Sequence, residues 1–325
     1  MSKFQPMSTV KGGIKNTCPA PARRPSLTRC LRRPPGRIIP IAMTRNKHGK
    51  TWKPRPAAAA GKPAPAAQPG GLSHKPSAAG AYWLFGRHPV LAALANRRRR
   101  VLRLLATPAQ EAELNAAHKS ADPKAKLPEI EPVAPQDLDR LLPVGSLHQG
   151  MAAEVLPLGD LDLHEICEIS PENPVNLVLV LDQVTDPHNV GAIIRSGAAF
   201  GARAIITTDR HAPPESGALA KSASGTLEIL PWVRVINLAR ALDDLAELGY
   251  WRVGLDGSAE ATIDEVDAGA NIALILGAEG AGLRRGTIEH SDYLARLPIS
   301  PAVESLNVSN AAAVALYALT RKPGN

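Results

Sequence analysis

The second half of the chain alternates short apolar runs with helical patterns. Five apolar runs predict strands, at 177–181, 204–206, 229–235, 251–255 and 272–276. Between the first two, apolar residues recur at helical spacing from 190 to 200, which predicts a helix. Continuous apolar strands alternating with helices are typical of a parallel sheet covered on both faces, in which ligands collect at the carboxyl ends of the strands. We therefore predict an α/β fold with a parallel sheet.

A smaller set of elements precedes this region. A helix is predicted after Gly86-Arg87-His88-Pro89, and the Asn96 to Arg100 run ends it. The other predicted elements are strands at 101–106 and 151–156 and helices at 108–118 and 136–142. We predict a small α/β domain over 81–158, an acidic linker without strong pattern over 159–173, and the sheet domain over 174–322.

The first 80 residues differ in composition from the rest of the chain. They contain 16 of the 38 Lys and Arg residues and no Asp or Glu, so the remainder has 22 basic and 30 acidic residues. Their Pro, Ala and Gly content leaves too little apolar surface to offset the entropy of ordering. We predict a disordered basic arm over 1–80. It either tethers RNA by salt-sensitive attraction or is a tolerated low-complexity extension.

Cysteine usage and hydropathy restrict the environment of the protein. Cys18, Cys30 and Cys167 are odd in number and lack metal-ligand spacing, which argues against a disulfide framework and a structural zinc site. No apolar run reaches the roughly 18 residues that span a bilayer, and the start lacks a secretory layout. We expect a cytoplasmic protein with no membrane segment and no metal. The Arg-rich, acid-free start leaves an organelle transit peptide as the alternative.

The segment 186–196, Asp-Pro-His-Asn-Val-Gly-Ala-Ile-Ile-Arg-Ser, follows a predicted strand. An Asn side chain accepts hydrogen bonds from the free amides of a first helical turn, so Asn189 is predicted to cap the helix. Arg195 lies nearly two turns further along. The structural alternative is a capped helix with a surface arginine.

The segment 276–285, Leu-Gly-Ala-Glu-Gly-Ala-Gly-Leu-Arg-Arg, is a glycine-rich turn after a buried strand. Its spacing from Gly277 is Gly-x-x-Gly-x-Gly, which differs from the dinucleotide fingerprint, and no Walker-type Lys follows. Phosphate binding is therefore disfavoured. The alternative to a site at Glu279 is a tight turn with a solvated carboxylate.

The third segment combines Leu297-Pro298-Ile299 with Glu304-Ser305-Leu306-Asn307-Val308-Ser309. Ser305 and Asn307 present hydrogen-bonding groups at the entrance to an alanine-rich helix over 311–319. The alternative is a capped helix whose small residues only permit close packing.

Taken together and in this order, the three segments resemble the signature motifs of the SpoU (TrmH-like) RNA methyltransferase family. The matching sequences are Asn-x-Gly-x-x-x-Arg ending at Arg195, Leu-Gly-Ala-Glu-Gly-x-Gly, and Leu-Pro-Ile…Ser-Leu-Asn-Val-Ser. The resemblance covers 174–320. Gly86-Arg87-His88-Pro89-Val90 and His148-Gln149-Gly150 also resemble the L30e-like RNA-binding domain of the branch that methylates a guanosine of 23S ribosomal RNA.

The resemblance implies a SPOUT-class fold, in which the carboxyl-terminal segment of the parallel sheet threads into a trefoil knot that binds S-adenosylmethionine. The general rule that chains do not knot predicts instead a plain doubly wound sheet. Catalytic roles are implied for Asn189, Arg195, Glu279, Ser305 and Asn307, and donor-binding roles for Gly277, Leu297 and Leu306. Ribosomal RNA is the implied partner. A homodimer is also implied, for which the alanine-rich face of 311–319 would permit close approach of two copies.

The residue types suit ribose 2′-O-methylation. S-adenosylmethionine has no phosphate, so apolar walls and backbone amides are appropriate to bind it. Arg195 stays protonated and is a poor base. We therefore expect it to stabilise the developing alkoxide or an RNA phosphate, with Glu279 orienting it and Ser305 and Asn307 positioning ribose and donor.

Two basic segments have open interpretations. The run 97–100 is either a solvated turn or a phosphate contact, and Lys221-Ser222-Ala223-Ser224-Gly225 is either an RNA-facing loop or a helix end. Three alternative functions also remain: methylation of transfer RNA, a non-catalytic RNA-binding or antibiotic-response protein, and a nucleotide-dependent oxidoreductase. The upstream domain disfavours methylation of transfer RNA, and the complete motif set disfavours a non-catalytic protein. The missing dinucleotide fingerprint disfavours an oxidoreductase.

Overall fold

A computed structural model describes residues 78–120, 127–172 and 175–321. The predicted arm over 1–80 lies outside these residues except for its last three, so its disorder stays a prediction. Within the described ranges, no helix combines the length and apolar character needed to cross a membrane.

The first domain, in its described part, is a four-stranded sheet with helices packed on it. Its elements are β1 (Tyr82–Phe85), α1 (Arg87–Ala95), β2 (Val101–Ala106), α2 (Pro108–Ser120), β3 (Ile130–Pro132), α3 (Pro135–Leu141) and β4 (Met151–Val155). The strand order is β1-β4-β2-β3, with β4 antiparallel to β1 and β2 and β3 parallel to β2. The strands β1 and β3 were not predicted because runs of four and three residues show no periodicity.

The second domain is built on a six-stranded parallel sheet. Its elements are α4 (Leu163–Cys167), β5 (Asn176–Asp182), α5 (Pro187–Ala199), β6 (Ala204–Thr208), α6 (Gly217–Ala223), β7 (Trp232–Val235), α7 (Leu238–Glu247), β8 (Trp251–Leu255), β9 (Asn271–Gly277), α8 (Arg285–Glu289), β10 (Tyr293–Ala295) and α9 (Val308–Thr320). The strand order is β10-β8-β9-β5-β6-β7, and every neighbouring pair is parallel. The predicted α/β fold with a parallel sheet is confirmed.

The central strand β5 shows why its sequence is continuously apolar. Leu177, Leu179 and Leu181 point to one face of the sheet and pack in the core that contains α5, α6 and α9. Val178 and Val180 point to the other face, into the core that contains α4 and α7. Since both faces are covered, every position of the strand is buried and no polar alternation appears.

One predicted strand boundary is wrong, and the predicted linker contains a helix. The strand predicted at 229–235 begins only at Trp232: a 3-10 helix spans Thr226–Glu228, and Ile229 is 71% exposed. Pro231 lacks an amide hydrogen and contributes only its carbonyl, to Ile205. The linker predicted over 159–173 contains α4, whose first turn is capped by the carboxylate of Asp162.

A buried ion-pair network joins the two domains. The Arg99 side chain is fully buried; it contacts Glu215 at 2.9 Å and Glu228 at 2.7 Å, and both carboxylates are almost fully buried. Tyr82 donates to Glu215 at 2.8 Å. Burial and the Glu215 charge raise the pKa of Tyr82 far above its ordinary value, so the phenol stays neutral. Neither interpretation of the run 97–100, a solvated turn or a phosphate contact, holds for Arg99, although Arg98 and Arg100 are exposed.

Candidate active site

Three loops meet at one edge of the parallel sheet. The ends of β5 and β9 are adjacent, since Asp182 pairs with Gly277. The chain leaves β5 towards α5 and leaves β9 into the glycine-rich turn, and α9 begins beside that turn. The three predicted motifs therefore converge where ligands of parallel sheets collect.

The centre of this edge is the Glu279 carboxylate. Its Oε1 accepts hydrogen bonds from Asn307 Nδ2 at 2.5 Å, from the Val308 amide at 3.2 Å and from Asn189 Nδ2 at 3.3 Å. Asn307 Nδ2 also donates to Asn189 Oδ1 at 3.0 Å. The negative charge lies at the amino terminus of α9, where the helix dipole stabilises it. Three of the five predicted catalytic residues thus form one hydrogen-bonded cluster, which we call the Glu279 cluster (Asn189, Glu279 and Asn307).

Asn307 is held from both sides. Its Oδ1 caps α9, accepting from the amides of Ser309 at 3.0 Å and Asn310 at 3.4 Å and from the Ser309 hydroxyl at 2.6 Å. Its amide nitrogen is directed to Glu279. The side chain is therefore fixed and positions the carboxylate rigidly.

The predicted cap of α5 is wrong. Asp186, not Asn189, is the capping residue, and it accepts from the amides of His188 at 3.3 Å and Asn189 at 3.1 Å. Pro187 follows directly and suits the first helical position, because its fixed φ matches the helix. Asn189 lies within the first turn, and this placement frees its side chain to contact Glu279.

Arg195 is not part of the Glu279 cluster. It is exposed on α5 and, within the described ranges, forms neither a hydrogen bond nor an ion pair. Six residues of α-helix place it about 9 Å along and about 240° around from Asn189. The expected contact by which Glu279 would orient Arg195 is therefore absent, because Arg195 and Asn189, which contacts Glu279, leave different faces of α5.

The glycine-rich turn is closed by its own backbone. Ala278 and Gly282 exchange hydrogen bonds of 3.2 and 2.9 Å, and Gly280 and Gly282 have φ of 78° and 66°. A Cβ on Gly277 would collide with the carbonyl group of Gly282. Only glycine at 277 lets the turn fold back and present Glu279 to α9.

A cleft of about 1210 Å³ opens beside the Glu279 cluster. Its walls include residues 277–282, Leu297, Leu306 and the exposed loop residue Ser305. The charged lining residues are Arg296 and the carboxylates of Asp256, Glu279 and Glu304. Apolar walls with more carboxylates than cations suit an adenosyl sulfonium and do not suit a phosphate. The residues that line the cleft therefore fit S-adenosylmethionine.

Two residues of this region were missed by the sequence analysis. Asp182 is fully buried at the end of β5 and accepts from Arg284 Nε at 2.6 Å, the Arg284 amide at 3.0 Å and Thr287 Oγ1 at 2.7 Å. It anchors the chain just after the glycine-rich turn. Asp256 lines the cleft after β8. Both carboxylates directly follow a predicted strand, and this position in the sequence could have identified them as candidate site residues.

Two family descriptions match the chain. Residues 176–317 match the SpoU rRNA Methylase family. Residues 83–160 match a domain described as RNA 2′-O ribose methyltransferase substrate binding. The two matches correspond to the parallel-sheet domain and to the first domain.

The chain is similar to curated and solved proteins over most of its described length. The 23S rRNA (guanosine-2′-O-)-methyltransferase RlmB of Pseudomonas putida is 44% identical over 182 residues, covering 55% of this chain and 73% of that protein. RlmB of Xylella fastidiosa is 36% identical over 247 residues, covering 74% of this chain and 96% of that protein. The SpoU methyltransferase AviRb of Streptomyces viridochromogenes, solved with the cofactor AdoMet, has a TM-score of 0.63 at 26% identity, covering 75% of this chain and 91% of AviRb.

Proposed function

We propose that this chain, which belongs to the SpoU rRNA methylase family, transfers a methyl group from S-adenosylmethionine to the ribose 2′-hydroxyl of a guanosine in 23S ribosomal RNA. The observation that carries the proposal is the Glu279 cluster, built from the three family motifs on the rim of the cleft. The choice of 23S ribosomal RNA rests on the RlmB relatives. The site of action is then the cytoplasm.

The cleft holds the methyl donor in this proposal. S-adenosylmethionine supplies a methyl group on a sulfonium, which is ready for transfer to an oxygen nucleophile. Gly277, Leu297 and Leu306 bind its adenosine and methionine parts, largely through backbone groups. The carboxylates of the lining offset its positive charge.

The chain's own residues position the ribose. Glu279 Oε1 accepts the hydrogen bonds of the Glu279 cluster, whereas its Oε2 has no hydrogen-bond partner within the described ranges and is available to accept from a ribose hydroxyl. Ser305 on the cleft wall supplies a second hydrogen bond to the ribose. The Arg195 guanidinium stabilises the developing alkoxide or an adjacent phosphate. Most of the acceleration comes from alignment of the hydroxyl with the methyl group.

The domain roles follow the same proposal. Residues 81–158 form an L30e-like domain that binds the RNA substrate, residues 174–322 carry the chemistry, and the basic arm over 1–80 adds sequence-independent attraction for RNA. The carboxyl-terminal segment forms the trefoil knot of the SPOUT class. In support, β10 pairs with β8 at the sheet edge, and the chain then returns past β9 to place α9 against α5.

The substrate assignment is tested in a strain that lacks this protein. One guanosine of 23S ribosomal RNA is expected to lose its 2′-O-methyl group, and expression of the intact chain is expected to restore it. If all 2′-O-methyl groups of 23S ribosomal RNA are still present and one in transfer RNA is lost, the ribosomal substrate is contradicted. Ribose 2′-O-methylation would then remain the reaction of this protein.

Substitution of Gly277 tests the donor site. Gly277→Ala is expected to weaken S-adenosylmethionine affinity about five- to 150-fold, because displacing the turn costs about 1–3 kcal/mol. Gly286→Ala is the matched control, since a Cβ there meets nothing within 4 Å. Calorimetric titration with S-adenosylmethionine measures both. Wild-type affinity in Gly277→Ala would exclude this turn from the donor site.

We place the proposed homodimer on a different surface from the alanine-rich face of 311–319. Ala312 and Ala315 are fully buried against α5, so the alanine side of α9 is not available to a second copy. The exposed side of α9 instead presents Val314, 49% exposed, and Tyr317, 54% exposed. Tyr317 continues this apolar surface to Phe200 through an edge-on ring contact of 6.3 Å. We propose this surface as the dimer interface.

Sedimentation tests the interface. The wild-type protein is expected to be a dimer at micromolar concentration, and Val314→Lys is expected to be a monomer, because a charge would be buried without a partner. Val144→Lys, at a fully exposed apolar residue of the first domain, is the control and is expected to stay dimeric. A wild-type monomer with full activity would contradict the dimer.

A further inference from the structure

The two domains meet at a polar contact close to the active site. Lys221, in the last turn of α6, donates through Nζ to Gln149 Oε1 at 3.0 Å. Gln149 belongs to the first domain, and the same oxygen accepts from the Arg87 amide at the start of α1, at 3.1 Å. Lys221 therefore brings a positive charge from the catalytic domain to the edge of the RNA-binding domain. We call this contact the Lys221 seam (Lys221, Gln149 and Arg87).

The charge of Lys221 is not matched by an anion within the described ranges. Its hydrogen-bond partner there is the neutral amide oxygen of Gln149. Two other cations at the domain contact are compensated: Arg87 pairs with Glu113, and Arg99 pairs with Glu215 and Glu228. Partial burial lowers the pKa of Lys221, as expected for an ammonium that has lost some water without gaining a negative partner. An anion at this position would supply that partner.

The Lys221 seam is rigidly connected to the Glu279 cluster. Ser222, the next residue, donates through its hydroxyl to the carbonyl of His188 at 2.8 Å. At Gly191 the helices α5 and α6 pack so closely that an added Cβ would lie 2.5 Å from the Leu219 carbonyl oxygen. His188 directly precedes Asn189, which contacts Glu279. An RNA strand held at Lys221 would therefore be held at a fixed offset from the reacting ribose.

We propose that Lys221 binds a phosphodiester of the RNA backbone where the two domains meet, and that this contact places the target ribose at the Glu279 cluster. The inference rests on the proposed function. The ligand class is the RNA backbone, since a single ammonium forms a point-charge contact with phosphate and reads no base. Gln149 holds the ammonium in place before RNA arrives and remains within reach of the same phosphate.

The test compares three variants of the full chain. Lys221→Gln removes the charge and keeps a polar side chain, and Lys221→Arg keeps the charge. Arg240→Gln is the matched control: it removes one exposed positive charge from α7, on the opposite face of the sheet. The probe is a 23S ribosomal RNA transcript. Its affinity for each protein is measured at several salt concentrations from about 50 to 200 mM.

Lys221→Gln is expected to bind the transcript about five- to tenfold more weakly at 50 mM salt. Loss of one phosphate contact lowers the slope of log affinity against log salt by about 0.7–0.9, so the difference from wild type shrinks about threefold by 200 mM. Lys221→Arg and Arg240→Gln are expected to match wild type in affinity and slope. The affinity for S-adenosylmethionine is expected to be unchanged in all of them.

The slope separates a phosphate contact from a structural role. If Lys221→Gln lowers the melting temperature but binds RNA with wild-type affinity and slope, Lys221 only supports the domain contact and the inference is overturned. If the wild type methylates the transcript and Lys221→Gln is indistinguishable from it, the inference fails and the proposed function stands. A wild-type protein that transfers no methyl group to the transcript overturns both.

Discussion

Replacing Arg195 by alanine is expected to lower the single-turnover rate of methyl transfer about a hundredfold or more, the usual loss when one preorganised donor is removed. The guanidinium is exposed and unpaired within the described ranges, so its charge is available to the substrate. Binding of S-adenosylmethionine is expected to stay near wild type, because Arg195 does not line the cleft. Arg195→Lys is not expected to restore the rate, since a point charge lacks the planar fork of donors.

The Glu279 cluster supplies the control for this prediction. Glu279 contacts Asn307 directly, so Glu279→Ala and Asn307→Ala should combine non-additively, as residues of one unit do. Arg195 contacts neither residue. Any non-additivity between Arg195→Ala and a substitution in the cluster must therefore arise through the bound substrate. Near-wild-type turnover in Arg195→Ala would remove Arg195 from the mechanism, whatever the behaviour of the cluster.

Arg99→Met is expected to be the most destabilising single change in the domain contact. Removing the guanidinium leaves Glu215 and Glu228 buried without a cation, a situation that costs about 3–5 kcal/mol. For a protein of this size, that loss lowers the melting temperature by about 10 °C or more. Hydrogen bonding and charge from Glu228 oppose the effect of burial and hold the pKa of Arg99 above its ordinary value, so the charge is present at any working pH.

The neighbouring Arg100 provides the matched control. It is exposed, so Arg100→Met should change stability by no more than about 0.5 kcal/mol. Urea or thermal unfolding of both variants measures the difference. If Arg99→Met unfolds like the wild type, the buried network does not hold the two domains together.

The parallel sheet and the location of the site were predictable from the sequence. Strands such as β5 are buried on both faces and therefore read as continuous apolar runs. Because the carboxyl ends of parallel strands share one edge, motifs that follow separate strands had to meet there. The family resemblance drawn from those motifs is confirmed by the family match over 176–317 and by relatives up to 44% identical.

The partners of individual side chains were not predictable. Four arginines in succession occupy 97–100, and nothing local distinguishes Arg99, whose partners lie 116 and 129 residues away. Asp182 likewise depends on Arg284, 102 residues further on. The alanine-rich helix could face a second copy or the interior, since small residues permit close packing on either side. Asp186 displaced Asn189 as the cap because both residue types accept the same amides.

If this chain methylates a ribose hydroxyl at the site built around Glu279, its reaction product carries the methyl group on the ribose, and loss of the Glu279 carboxylate removes that product. The most direct measurement incubates purified protein with labelled S-adenosylmethionine and 23S ribosomal RNA, then digests the RNA to nucleosides and identifies the labelled product by mass. We expect 2′-O-methylguanosine from the wild type, and at least about a hundredfold less from Glu279→Ala. Methyl label on the base instead of the ribose, or undiminished 2′-O-methylguanosine from Glu279→Ala, would contradict this expectation.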